Sequence, residues 1–377
     1  MTKGMRRKAA RIRGSGLPRI TAGGMMEYIH GGDIYTYEGM TDFSVNINPF
    51  GPSGQVLEAV RTEAAHIGAY PDSRCRKLRC ALAERYGISE ENFIFGNGAA
   101  ELIFSAAFAG RPRRAVLTAP SFAEYAMALE AAGCEVVYHY MEEEESFRLT
   151  ERYMEELTED VDMIFLCSPD NPSGQVIDLP LLDRIIGRCG ELGIRAVIDQ
   201  CFCEFLERSY SILPVEAVLD KPWVLLLRAF TKMHAMPGLR LGYGICSDRA
   251  FLEKMELVTQ PWNVSVPAQA AGLAALSETE RVQRTRAYVA RERRRIEKEL
   301  EHMGITYYPS AVNYILLYSR YDLSALLKEH NILIRDCSNY EGLRKGYYRI
   351  AVKMRKENDM LLKALREIYK EGTSGRL

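Results

Sequence analysis

Apolar positions along the 377-residue chain fall into two alternating rhythms from about Val56 onward. Val56–Ala65 and Lys77–Tyr86 read as amphipathic helices. Phe93-Ile94-Phe95 and Ala115-Val116-Leu117 are short apolar runs with Gly or Pro nearby, the pattern of strands buried on both faces. Similar runs return at Glu135–Tyr140, Met163–Cys167, Ala196–Ile198, Val224–Leu227 and Leu241–Ile245. Helical stretches lie between most of them, notably Leu179–Leu192, and the acidic run Glu142–Glu145 reads as a solvated turn. Strands alternating with helices predict an α/β domain built on a mainly parallel sheet covered on both faces.

After Asn263 the rhythm changes. A long helical segment is predicted from about Ala268 to Met303, with charges four residues apart, as at Arg293–Glu297 and Glu297–Glu301. Short strands follow at Asn313–Tyr318, Ile332–Arg335 and Tyr347–Val352, then a closing helix at Glu357–Tyr369. The expected organisation is a basic N-terminal tail (1–25), an arm (26–54) that joins the second domain, a large α/β domain (55–262) and a smaller α+β C-terminal domain (263–377).

Composition narrows the class. Apolar residues make up 47% and charged residues 26%, which is globular and not disordered. Forty-nine basic residues against fifty acidic ones leave a net charge of −1, so no nucleic-acid or membrane-surface partner is expected. Apolar runs such as Trp223–Leu227 fall far short of the ~18 residues of a spanning helix. No signal-peptide pattern is present. Nine cysteines, an odd number without a CxxC pair, predict reduced thiols in a cytoplasmic compartment. Six scattered histidines offer no zinc spacing, so no metal is expected. Seven basic residues before Glu27 are read as a tail, or as sequence ahead of a start at Met25 or Met26; a transit peptide or nucleic-acid arm is the alternative.

The strongest chemical signal is the string from Arg228 to Tyr243, in which Thr231-Lys232 follows a strand and Arg240 comes eight residues after the lysine. A lysine in a low-dielectric pocket beside a cation has a lowered pKa and becomes a nucleophilic amine. The arginine and hydroxyl suit a phosphate dianion, and Gly238 and Gly242 allow close backbone approach. Further strand ends carry Gly96-Asn97-Gly98-Ala99-Ala100-Glu101 opening a helix, Pro120-Ser121-Phe122-Ala123-Glu124-Tyr125, Ser168-Pro169-Asp170-Asn171-Pro172 and Ile198-Asp199-Gln200. Free N–H groups at a glycine-opened helix hold anions.

In this order, these loops resemble fold-type I pyridoxal-phosphate enzymes over roughly residues 27–370. Within that fold the chain resembles the branch of histidinol-phosphate aminotransferases and threonine-phosphate decarboxylases, and looks nearer the decarboxylases. The segments carrying this are His30-Gly31-Gly32-Asp33, Phe43–Pro49, Ala119–Tyr125, Gln260-Pro261-Trp262 and Ile334–Tyr340.

The resemblance implies pyridoxal 5'-phosphate held covalently by Lys232, with Asp199 at its ring nitrogen, Asn171 at its ring hydroxyl and Phe122 stacked on the ring. Gly98, Ala99, Ala100, Thr231 and Arg240 would surround its phosphate, and Tyr70 would reach the phosphate of a neighbouring subunit, making a homodimer with shared sites. Arg349 would take the substrate carboxylate and Arg335 its phosphate, with His30, Asn46 and Asn171 completing the substrate site. Departures from the pattern are Ala229 in place of a serine, no hydroxyls in Gly98-Ala99-Ala100, Gln200 in place of an acid, and Phe202 where aminotransferases commonly have tyrosine. The implied reaction is decarboxylation of L-threonine O-3-phosphate to (R)-1-amino-2-propanol O-2-phosphate in cobalamin biosynthesis. The alternatives are serine phosphate as substrate or a histidinol-phosphate-type aminotransferase. A non-catalytic regulatory module would need a DNA-binding domain, and the 25-residue basic stretch is too short for one.

Overall fold

A computed structural model describes residues 30–207 and 212–373, so the predicted basic tail lies outside the described residues. In chain order come β1 (Thr41–Asp42), α1 (Gly54–Glu63), α2 (Arg76–Tyr86), β2 (Phe93–Asn97), α3 (Ala99–Gly110), β3 (Arg114–Ala119), α4 (Ala123–Ala131) and β4 (Glu135–Tyr140). Next are β5 (Met163–Cys167), α5 (Leu179–Leu192), β6 (Arg195–Asp199), β7 (Val224–Ala229), β8 (Leu241–Ile245), α6 (Arg249–Val258), α7 (Val266–Leu276) and α8 (Thr279–His302). The chain finishes with β9 (Thr306–Tyr308), β10 (Tyr314–Tyr318), α9 (Leu323–Glu329), β11 (Ile332–Leu333), β12 (Arg335–Asp336), β13 (Tyr347–Ala351) and α10 (Arg355–Thr373).

Seven strands form one sheet in the order β2-β8-β7-β6-β5-β3-β4. Only β8 runs against the others, pairing antiparallel with both β7 and β2. The parallel strands alternate their side chains between two cores. Val116, Ile164, Ile198 and Leu226 enter one, and Leu117, Phe165, Val197 and Leu225 enter the other. Both faces are therefore covered, as expected for an α/β fold of this type.

The second sheet has the order β12-β13-β10-β9 and is antiparallel throughout. Helices α8 and α10 cover it with Val289, Ile296, Leu361 and Leu365. The arm reaches this layer: β1 pairs in parallel with β11, the Ala351 N–H donates to the Phe43 carbonyl at 2.9 Å, and Phe43 is fully buried in the same core.

The structure corrects three local expectations. The helix predicted from Ala268 to Met303 breaks at Ser277-Glu278. Ala268, Ala271 and Ala275 of α7 pack into the large-sheet core, whereas α8 turns to cover the small sheet, so the break is where the chain passes between cores. The strand predicted at Ile332–Arg335 splits at Ile334, its first half pairing with β1 and its second with β13. The acidic run is not merely solvated: the Glu143 carboxylate accepts from the Tyr308 hydroxyl at 2.5 Å and faces Arg344, which ties the two layers together.

Candidate active site

Because β8 is reversed between β7 and β2, its first residue meets the last residue of β2, with Asn97 opposite Leu241. The C-terminal ends of β2, β5, β6 and β7 and the start of β8 therefore share one rim of the sheet. A parallel sheet offers its binding crevice at that rim. Gly98, Asn171, Asp199, Lys232 and Arg240 all follow or precede strands there.

The tightest packing is at the opening of α3. Gly98 has φ +80, and a Cβ on it would lie 2.5 Å from the Arg240 guanidinium. A Cβ on Gly242 would lie 2.5 Å from the Ala99 nitrogen. The Gly98-Ala99-Ala100 turn is thus pressed between β8 and Arg240, and no side chain caps the first N–H groups of the helix. Glu101 Oε2 accepts from the Asn97 N–H and from Asn263 Nδ2, each at 2.6 Å, which fixes the turn. Thr231 is buried two residues beyond β7, whereas Arg240 is exposed. Tyr70 stays outside the cluster, 78% exposed and stacked on Trp262 at 4.4 Å.

Lys232 sits on a loop held by the arm, whose Asn48 donates its N–H to the Lys232 carbonyl at 3.0 Å and its Nδ2 to the Met233 carbonyl at 2.7 Å. Burial lowers the lysine pKa to about 8, and the charges of Arg349 and Arg240 push the same way. A larger share of neutral amine, the nucleophilic form, follows near neutral pH. The amine lies 5.5 Å from the centre of the Phe202 ring. Asp199, at the end of β6, accepts from the Tyr125 hydroxyl at 2.7 Å and from the Cys201 N–H at 2.8 Å. Burial, then the neighbouring Asp199 charge, raises the Tyr125 pKa, so the phenol keeps the proton it donates. Phe122 caps α4 and meets Tyr125 edge-on at 5.6 Å.

The polar end is built by the small sheet. Arg335 on β12 and Arg349 on β13 stand directly opposite each other. Facing like charges on adjacent strands repel unless an anion lies between them. Arg349 is 6% exposed; its Nη1 donates to Asn171 Oδ1, its Nη2 to the Ser44 carbonyl at 2.9 Å, and its Nε is buried without a protein partner. Arg335 donates to Asn339 Oδ1 at 2.7 Å and lies over the Tyr340 ring. Asn46 Oδ1, on the arm, is likewise buried without a protein partner. His30 contacts Glu124 at 3.3 Å, and burial followed by the charges of Arg335 and Arg349 lowers its pKa.

Thus the rim brings together Gly98, Ala99 and Arg240 at one cradle, with Ala100 next in α3 and Thr231 just beyond β7. Lys232, Asp199, Asn171 and Phe122 line the adjoining strand ends, and His30, Asn46, Arg335 and Arg349 approach from the arm and the small sheet. Tyr70 is not among them. Gln200 turns away, its Oε1 accepting from Arg228 Nη2 at 2.9 Å. Tyr125 and Glu124 had no role assigned from sequence, because both read as ordinary first-turn helix residues. Their only signal was their place in the Ala119–Tyr125 segment that carries the resemblance.

Residues 38–365 match the aminotransferase class I and II family. The threonine-phosphate decarboxylase of Salmonella typhimurium is 37% identical over 351 residues, covering 90% of this chain and 96% of that protein. A putative threonine-phosphate decarboxylase of Caldanaerobacter subterraneus is 39% identical over 363 residues, covering 92% and 96%. The crystal structure of the histidinol-phosphate aminotransferase from Clostridium acetobutylicum superposes with a TM-score of 0.82 at 27% identity, covering 88% of this chain and all of that one. The matched residues span both sheets, and the chain belongs to the aminotransferase class I and II family.

Proposed function

We propose that the protein is a pyridoxal-5'-phosphate-dependent lyase that decarboxylates L-threonine O-3-phosphate to (R)-1-amino-2-propanol O-2-phosphate, a step of cobalamin biosynthesis. The observation that carries this reading is the cross-strand pair Arg335 and Arg349, which calls for an anion with two separated charges. The two relatives named as threonine-phosphate decarboxylases, at 37% and 39% identity, support it over the aminotransferase reading.

The rim fits the cofactor. The cradle at Gly98 and Gly242 leaves backbone where a Cβ would collide, as close approach to a phosphate requires. Gly98, Ala99, Ala100, Thr231 and Arg240 would hold that phosphate, Lys232 would bind the aldehyde, and Asp199, Asn171 and Phe122 would face the ring nitrogen, ring hydroxyl and ring plane. When bound, pyridoxal phosphate supplies an electron sink for the pair left as a bond at the substrate α-carbon breaks.

The protein decides which bond that is. Arg349 is fixed by Asn171 and the Ser44 carbonyl, so a carboxylate meeting its unpartnered Nε is held in one direction. Arg335, with His30 and Asn46 nearby, would take the phosphate at the other end. Asp199, held by Tyr125 and the Cys201 N–H, would aim its carboxyl group where positive charge is wanted on the ring. Lys232, with its pKa near 8, is suited to return a proton to the α-carbon once carbon dioxide has left. Phe202 adds no hydroxyl to the ring, unlike the tyrosine common in aminotransferases.

A homodimer is part of the reading. Tyr70 and Trp262 form an exposed aromatic pair, and Arg240 is open to solvent, which supports a second copy closing the phosphate end. Nine free cysteines support a reducing, cytoplasmic setting.

The test is to incubate cofactor-loaded protein with threonine phosphate and follow carbon dioxide and aminopropanol phosphate, with Lys232→Ala as the inactive control. Serine phosphate, one methyl group smaller, should be the poorer substrate by roughly 10–200-fold. Consumption of 2-oxoglutarate with histidinol phosphate, without carbon dioxide release, would overturn the assignment.

A further inference from the structure

One buried acid lies within electrostatic reach of the arginine proposed to hold the substrate phosphate. Glu124, in the first turn of α4, is 15% exposed at its side chain and contacts His30 Nε2 through Oε1 at 3.3 Å. Its other oxygen, Oε2, is buried with no hydrogen-bond partner from the protein. The charged and titratable groups acting on it come from every side: His30 from the arm, Lys232 from the loop after β7, Asp199 from β6, Arg335 from β12 and Tyr340 beyond it. Arg349 acts on the same pocket through His30.

A carboxylate here would repel a phosphate dianion at Arg335, whereas a protonated carboxyl could donate to it. We propose that Glu124 is a proton-linked positioning residue of this anion pocket. It pairs with His30 as a carboxylate when the pocket is empty, and takes up a proton from solvent to become a hydrogen-bond donor when a phosphate dianion binds. The inference rests on the reading of Arg335 as the phosphate site.

The energetics of the carboxyl agree with such a switch. Burial raises its pKa to about 7 and Asp199 adds to the rise, against its own backbone N–H, Lys232 and Arg335. At pH 8 the empty-pocket carboxyl is therefore mostly ionised, and a neighbouring dianion can only raise its proton affinity further. Lys232, whose own pKa is about 8, would be joined to the cofactor aldehyde in the loaded protein and is unchanged in the Glu124→Gln control, so that variant separates it from Glu124. The remaining two groups do not mimic the effect at that pH. His30 is lowered below its ordinary value, and a phosphate monoester is already a dianion above its second pKa of about 6.

The experiment uses cofactor-loaded protein and 3-phosphooxybutanoate, which is threonine phosphate without its amine and so cannot be turned over. Calorimetric titration at pH 8 in two buffers of different ionisation enthalpy reads the protons taken up on binding. Wild type should take up close to one proton, and its Kd should rise about tenfold per pH unit above 7. Glu124→Gln should take up almost none, with a Kd flat to within about twofold over the same range. His30→Gln should retain the uptake. Retained visible absorbance of the bound cofactor shows that each variant keeps its site. Binding to wild type without proton uptake, or uptake lost with His30 and not with Glu124, overturns this inference alone. A wild-type protein that does not bind the analogue at all overturns the phosphate reading and this inference together.

Discussion

Asp199 is aimed by two donors from different elements, the Tyr125 hydroxyl of α4 and the Cys201 N–H beyond β6. Replacing Asp199 by Asn removes the charge proposed to face the ring nitrogen and should lower turnover by roughly 10²–10³-fold with the fold intact. Tyr125→Phe removes one charge-assisted hydrogen bond and should cost about tenfold. Pre-steady-state kinetics with matched circular dichroism checks both, and equal effects would mean that Tyr125 does more than orient its partner. The two arginines should separate in a different way. Arg335→Ala deletes a contact made equally before and during bond breaking, so it should chiefly raise KM and weaken discrimination between threonine phosphate and threonine. Arg349→Ala frees the carboxylate, so turnover should fall with affinity and abortive transamination should accumulate as pyridoxamine phosphate. If both variants only raised KM by similar factors, with unchanged products, the two side chains would form one diffuse anion site.

At the level of elements, β8 does the assembling. Its reversed direction places Gly242 against the backbone of Ala99. Gly242→Ala should therefore displace the α3 turn and weaken pyridoxal phosphate binding at least about tenfold, read by equilibrium dialysis, because the added methyl meets backbone that cannot swing aside. Unchanged affinity would show slack in the turn. Each strand of the large sheet was readable in the sequence, since β5 and its neighbours are near-continuous apolar runs buried on both faces. Their order was not readable, because no local period records that β8 inserts between β7 and β2. The α7–α8 break was hidden for a similar reason. Ser277-Glu278 contains neither Gly nor Pro; at the bend Glu278 lies 3.7 Å from His234, and the two helices join different cores. Lys232 and Asn171 stood out because each lies just beyond a strand end, and Asp199 because it closes one. Glu124 and Tyr125 did not, since a buried acid or phenol in a first turn acquires meaning only from what the fold brings to it.

At the scale of the whole molecule, three separated parts of the chain meet over one rim: the arm through Phe43 and Asn48, the large sheet through its loops, and the small sheet through Arg335 and Arg349. The exposed Tyr70 marks what a single copy leaves outside. If it completes the site of a second copy, two inactive variants should rescue each other. Lys232→Ala mixed with Tyr70→Ala and refolded together should regain about a quarter of wild-type activity, since half of random pairs carry one native site of two. No recovery in verified mixed dimers would place Tyr70 elsewhere. The concentration of the chemistry on one rim also leaves the opposite rim, where the parallel strands begin, free for engineering. There Thr158-Glu159-Asp160 forms an exposed turn leading into β5. A small reporter domain spliced after Glu159 should be carried with kcat nearly unchanged, while the same insert after Met236 should abolish cofactor binding. The enzyme thus has a handle side, by which it could be tethered to a surface or fused to the next enzyme in a synthetic cascade.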